Sequence, residues 1–270
     1  MEFYNVEMEI KMQGVFTIIL LVGLSMPSIL LAQSKDEKSS SVEGKESSEE
    51  LYKKNVGSYL EKYYQTIISE NLKSKNLNDI HILDIMVGNF GDQVQGVKAD
   101  LDAVKKDYQI ALRYYYRRAF MLSGKSLKDN ERKITEIYKK LSNYYESRTD
   151  ELLTDCADVI ATMEQNESIE PGQEKNSKIK ELAQNQLRLK IAYYQMGLAD
   201  NMNREGRFND AITFYRLGKE YGIAILSDLK STESDKKAVM DKYQVDLADN
   251  RNRSFNKSKN EPKTEKTSSK

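Results

Sequence analysis

Residues 194–218 read YQMGLADNMNREGRFNDAITFYRLG. Leu198 and Ala199 fall at the end of one helical run, Gly206 supplies a tight exit, and Phe208, Ala211 and Tyr215 recur at the spacing of a second helix. Small side chains at Ala199 and Ala211 let the two helices approach closely, and Leu198, Phe208 and Tyr215 fill the space around that contact. The stretch predicts a helix–turn–helix unit and an all-α chain.

The same residues resemble a tetratricopeptide (TPR) repeat, which has a Leu-Gly-type pair, a turn glycine, then aromatic, alanine and aromatic at this spacing. Ala199 stands where that family carries glycine, and its Trp and terminal Pro positions are not matched. The resemblance implies a module that binds other proteins and performs no chemistry. YQVDLADNRNR at 243–253 repeats YQMGLADNMNR at 194–204, with eight of eleven positions identical at an offset of 49. Tyr108, Ala111 and Tyr115 echo the spacing of Phe208, Ala211 and Tyr215. The chain therefore reads as a degenerate helical-repeat protein with unusually long helices.

Upstream, no proline occurs between Pro27 and Pro171, which permits uninterrupted helices. Ser47 and Glu50 form a capping box that opens a helix over 47–72, with Tyr52, Val56, Leu60, Tyr63 and Ile67 as its expected buried seam. A Lys/Asn-rich turn and a short buried helix, DIHILDIMVGNF, are expected next. Asp92 is the expected cap of a helix whose seam is Val94, Val97, Leu101, Val104, Tyr108, Ala111 and Tyr115, ending at Gly124. A further helix over 128–165 carries Ile134, Ile137, Leu141, Tyr145, Leu152, Cys156, Val159 and Met163, with a weaker stripe at 146–150. Helices of these lengths reach on the order of 45–55 Å and predict an antiparallel rod or stalk. After Pro171 and Gly172, helices are expected over 178–204, 209–229 and 233–250.

Forty-two basic residues balance forty-two acidic ones, so the chain has no overall preference for nucleic acid or an anionic membrane. Residues 15–32, VFTIILLVGLSMPSILLA, read as a secretory signal cleaved after Ala32, with an uncleaved membrane anchor as the alternative. Glu2, Glu7 and Glu9 point to a start at Met8 or Met12. The expected organisation is signal 1–32, disordered linker 33–46, stalk 47–165, loop 166–177, TPR-like module 178–250 and disordered basic tail 251–270.

Catalytic chemistry has little to build from. AFMLSGKS at 119–126 fits a permissive phosphate-loop pattern, but an amphipathic helix precedes it where a strand is required. Asn201, Asn203 and Glu205 begin a calcium-loop pattern that fails at Ile212. His81 is the only histidine and Cys156 the only cysteine, read respectively as a core or boundary residue and a buried inert thiol. No enzyme, cofactor or metal is expected. The seventeen tyrosines are more informative, because adjacent positions on a helix point about 100° apart and a cluster cannot bury every ring. Tyr114, Tyr116, Arg117 and Arg118 are candidate partner contacts, as are Asn201 and Arg204 on the repeat turn.

The layout of leader, long helices and TPR-like region resembles the periplasmic flagellar coiling proteins of leptospiral spirochaetes. That resemblance implies a periplasmic, non-enzymatic protein that coats a flagellar filament as a sheath component and contributes to its shape and to motility. It implies filament or sheath proteins as partners, with self-association open and no nucleic acid or integral membrane association after cleavage. The alternative is a periplasmic adaptor binding a soluble client.

Overall fold

A computed structural model describes residues 47–167 and 175–255. The expected leader, the linker, Pro171 with Gly172, and the tail beyond residue 255 lie outside the described residues. Every regular element among the described residues is an α-helix: α1 Ser48–Lys54, α2 Tyr59–Phe90, α3 Val97–Tyr116, α4 Phe120–Glu167, α5 Lys175–Arg204, α6 Phe208–Asp228, α7 Glu233–Lys242 and α8 Gln244–Asn250.

Local chemistry sets the breaks between helices. Ser47 and Glu50 close a capping box on α1, and Ser58 and Glu61 close a second on α2. Asn55 lies in the gap between them, where its Oδ1 accepts the Met121 N–H at 3.1 Å and so caps the start of α4 from a distant part of the chain. Gly96, Arg118, Gly206 and Asn252 adopt left-handed backbone, with φ of 78°, 57°, 77° and 52°. At three of these ends the next N–H reaches back five residues: Ala119 to Tyr114, Arg207 to Met202 and Arg253 to Ala248, each at 2.9 Å. This wrap satisfies carbonyls that a terminating helix leaves free.

α4 is the axis of the packing. Its 48 residues extend about 72 Å at 1.5 Å per residue. Leu127, Ile134, Ile137, Leu141 and Tyr145 join α2, α3, α5 and α6 residues in one apolar cluster. Further along, Leu152, Cys156 and Ile160 pack with Ile223, Ile225 and Leu226 of α6. Close approach there depends on Gly222, where an added Cβ would lie 2.9 Å from two atoms of the Leu152 side chain.

Several expectations are corrected. The helix expected over 47–72 is interrupted at Asn55, and DIHILDIMVGNF is the end of the 32-residue α2, with no turn in the Lys/Asn-rich stretch. Asp92 pairs with Lys98 at 2.7 Å, and Gly96 precedes α3 in the capping position. Gly124 lies inside α4, which begins at Phe120, because the break falls earlier, at Arg118 with its left-handed backbone; the Gln65 side chain of α2 rests against Gly124. α3 therefore reaches only about 30 Å over its 20 residues. The last expected helix is two, α7 and α8, meeting at Tyr243. Residues 146–150 continue α4 without interruption.

The largest correction concerns the first half of α2. Tyr52, Val56, Leu60, Tyr63 and Ile67 are exposed, with Tyr59 and Tyr64. The face turned inward carries small and polar groups instead. Ser69 donates to the Phe120 carbonyl at 3.4 Å, and Asn76 Nδ2 to the Leu127 carbonyl at 2.9 Å. Side chains this short permit a close α2–α4 contact, so the apolar side of the helix is the outer one.

Candidate functional site

The most concentrated chemistry among the described residues is a buried ion cluster where α2, α4, α6 and α8 converge. Arg148 of α4 holds Asp246 of α8 through both Nε, at 2.7 Å, and Nη2. Lys219 of α6 donates to Asp246 at 3.0 Å and stands 4.0 Å from Asp249. Arg216 grips Asp249 in a fork, Nε at 2.9 Å and Nη2 at 3.0 Å, and Tyr145 donates its hydroxyl to the same carboxylate at 2.5 Å. Asn89 Nδ2 adds a bond to Asp249 at 3.2 Å. The Lys219 ammonium also sits over the rings of Tyr145 and Phe90, at 4.4 and 5.0 Å from their centroids.

Burial governs the protonation of these groups. Desolvation lowers Lys219 below the ordinary lysine range, against the pull of Asp246 and Asp249. Desolvation would raise Asp246, but the bonds from Arg148 and Lys219 outweigh it and hold the carboxyl below its usual range. Tyr145 is raised well above an ordinary phenol by burial and by the neighbouring Asp249 charge. Each acid therefore faces a committed cation, and the cluster is a latch. Asp246 and Asp249 are the buried residues of α8, and α7 has none, so paired carboxylates attach the C-terminal segment where apolar burial is sparse.

The internal repeat acquires a physical meaning here. In its first copy, Asp200 accepts the Tyr215 hydroxyl at 2.8 Å and Asn203 donates to the same oxygen at 3.0 Å. In its second copy, Asp249 and Asn252 take Arg216, the latter through Nη1 at 2.5 Å. Two copies of one Asp-Asn-x-Asn pattern thus clamp two consecutive residues of α6, one copy from α5 and the other from α8 and the left-handed turn that ends it. The repeat was legible in the sequence; its acids were not singled out there as functional residues.

The residues expected to pack the repeat occupy two helices and their turn. Ala199, Ala211 and Tyr215 are fully buried, Leu198 and Phe208 are half-buried, and Gly206 takes the left-handed turn conformation. The candidate contacts fall into two separate groups. Tyr116, Arg117 and Arg118 are exposed at the α3–α4 corner, with Tyr114 half-buried beside them, whereas Asn201 and Arg204 are exposed at the end of α5. Phe120 starts α4 at the corner, and Ser142, which donates to Asn203 at 2.6 Å, marks the level of the turn, about 33 Å along the helix. The turn borders a cleft of about 370 Å³ with a mixed lining, where Lys75, Asp79, Glu131, Arg207 and Asp210 stand beside Ile134 and Phe208. Lys75 pairs with Glu131 and Arg207 with Asp210, and burial raises Asp79 despite the bond it accepts from Tyr138 at 3.2 Å.

His81 is exposed. Cys156 is buried against the Gly222 carbonyl, and desolvation pushes its thiol up to about 12. Among the described residues no group of acids, His and Cys is arranged to hold a metal ion, and no helix is long and apolar enough to cross a membrane. No family model matches the chain, and no curated protein or solved structure matches it.

Proposed function

We propose that this chain is a non-enzymatic helical scaffold that works by packing against other proteins. One observation carries the reading: a tyrosine-rich apolar face on the solvent side of α2, opposite a polar face already committed to α4. Continuous exposed apolar surface of this kind marks a protein-contact site, and tyrosine is enriched at such contacts. The ion cluster supports the same reading, since its acids and bases are consumed in holding α8 to α4 and α6.

Within that class, the α5–α6 pair is a TPR-like unit on a stack of long antiparallel helices. The role proposed for the whole is an exported, periplasmic sheath component of a flagellar filament. This role rests on the resemblance in layout of leader, long helices and repeat. A second reading, an adaptor for a soluble client, is favoured by the cleft of mixed polar and apolar lining beside Gly206 and by the exposed Asn201 and Arg204.

The test is affinity capture of the full chain from a native envelope fraction, with the bound proteins identified by mass spectrometry. Recovery of filament or sheath proteins, lost with Tyr63→Asp, supports the sheath reading. Recovery of one soluble client, lost with Arg207→Ala, supports the adaptor. Capture of nothing by either route contradicts both.

A further inference from the structure

The exposed face of α2 is formed by Tyr59, Leu60, Tyr63, Tyr64 and Ile67. At 100° per residue these five lie within an arc of about 140°. Their exposures run from 42% for Ile67 to 86% for Tyr59, and Tyr52 and Val56 are more than 70% exposed immediately before them. None of residues 59–68 is buried, although the helix is fixed by the Ser58–Glu61 box at one end and by Ser69 and Asn76 further on. The face is therefore open to solvent along its length, while Ser69 and Asn76 bond to α4 on the opposite side of the helix.

Size and charge both bear on what covers it. With an aromatic side chain presenting roughly 150–250 Å², the five residues of the α2 face leave on the order of 650 Å² open, and Tyr52 and Val56 add exposed apolar area just ahead of it. Each partner in a stable interface contributes about 800 Å². Glu61 and Lys62 lie on opposite flanks of the apolar arc, with Glu61 Oε2 already accepting from the Ser58 N–H at 2.7 Å in the capping box. A two-fold axis along α2 brings the Glu61 edge of each copy against the Lys62 edge of the other. An antiparallel two-fold arrangement would instead set Glu61 against Glu61 and Lys62 against Lys62. The chain has no net charge to oppose association.

The geometry points to a second copy of this chain as the occupant, with the two α2 helices side by side and running in the same direction. This inference rests on the scaffold reading and specifies one partner for its face. In this arrangement Leu60, Tyr63 and Ile67 each meet their own counterpart, Tyr59 packs toward Tyr64 of the second copy, and the contact is isologous. It ends beyond Ile67, where Glu70 would face its own counterpart.

Direction is testable because only the parallel arrangement gives self-pairing at successive positions. Leu60→Cys and Ile67→Cys are introduced separately into the full chain and oxidised under native conditions. Unsubstituted chain with its buried Cys156 and the exposed-site variant Glu136→Cys serve as blanks. Disulfide-linked dimer from both Leu60→Cys and Ile67→Cys, and from neither blank, is the expected result. In sedimentation across a hundredfold concentration range, Tyr63→Asp is expected to weaken self-association at least about tenfold with helical content unchanged.

Dimer at one position only, at neither position, or equally in the blanks overturns the inference. Tyr63→Asp leaving association unchanged also overturns it. If the copies fail to pair while Tyr63 crosslinks to a different protein in the native envelope, the second-copy inference falls and the scaffold reading stands. Crosslinks from this face to other residues of the same chain overturn it as well.

Discussion

Removing the Asp246 carboxylate tests the latch most severely. In Asp246→Ala, Arg148 keeps partial access to water, but Lys219, with 1% of its side chain exposed, loses the carboxylate that most opposes its desolvation. Asp249 stands 4.0 Å from the ammonium and is already gripped by Arg216, so it cannot take over the role. The rings of Tyr145 and Phe90 return at most about 2 kcal/mol of cation–π attraction. Breaking one side of a buried ion pair costs roughly 3–5 kcal/mol, because the remaining charge is uncompensated. For a unit of this size that lowers Tm by about 6–20 °C in thermal melts followed by circular dichroism. Lys219→Met added to Asp246→Ala removes the stranded charge and is expected to recover at least about 2 kcal/mol in urea titrations. The acid limb carries a sign as well. Asp246 titrates lower in the folded state than in the unfolded chain, so its contribution is present above about pH 4. It is lost as pH falls through the folded value, and Asp246→Ala should flatten that limb. A cost below about 1 kcal/mol for Asp246→Ala, or strict additivity with Lys219→Met, would refute this reasoning.

The first copy of the clamp is weaker because it joins fewer charges. Tyr215→Phe, which loses bonds to Asp200 and Asn203, is expected to cost about 1–2 kcal/mol in urea titrations, non-additively with Asp200→Ala. Asp79→Asn should stabilise at neutral pH, since burial raises the Asp79 carboxyl and its ionised form is penalised above the unfolded carboxylate range. The gain, read as a Tm increase of a few degrees, should vanish in acid as the native carboxyl protonates. Gly222→Leu forces a side chain into Leu152 and Leu153 and should destabilise by about 2–3 kcal/mol in the same titrations.

Much of the helical framework was legible because its apolar spacing coincides with burial. Leu101, Val104, Tyr108 and Ala111 in α3, and Ile134, Ile137, Leu141, Tyr145, Leu152 and Cys156 in α4, are all core residues. The same rule misread the start of α2. Periodicity identifies an apolar face but not what the face meets, and here the inward side is Ser69 and Asn76, each bonded to a carbonyl of α4. The α3–α4 break was displaced toward Gly124 because the left-handed position is taken by Arg118, a residue type that gives no warning of it. The weak stripe at 146–150 was visible, but its cause lies 98 residues away, where Arg148 meets Asp246. Such a pair leaves no local pattern. The repeat at 194–204 and 243–253 carries Asp200 and Asp249, but Asp246 falls opposite Gly197, at a position the two copies do not share.

The central claim, that the outer face of α2 is a protein contact, is tested most directly by photocrosslinking in intact cells. A photoactivatable side chain is placed at Tyr63 and, as an exposed control, at Glu136 of α4. The account predicts a discrete protein adduct from Tyr63, abolished by Leu60→Asp, with little from Glu136. Equal and diffuse labelling at the two positions would contradict it.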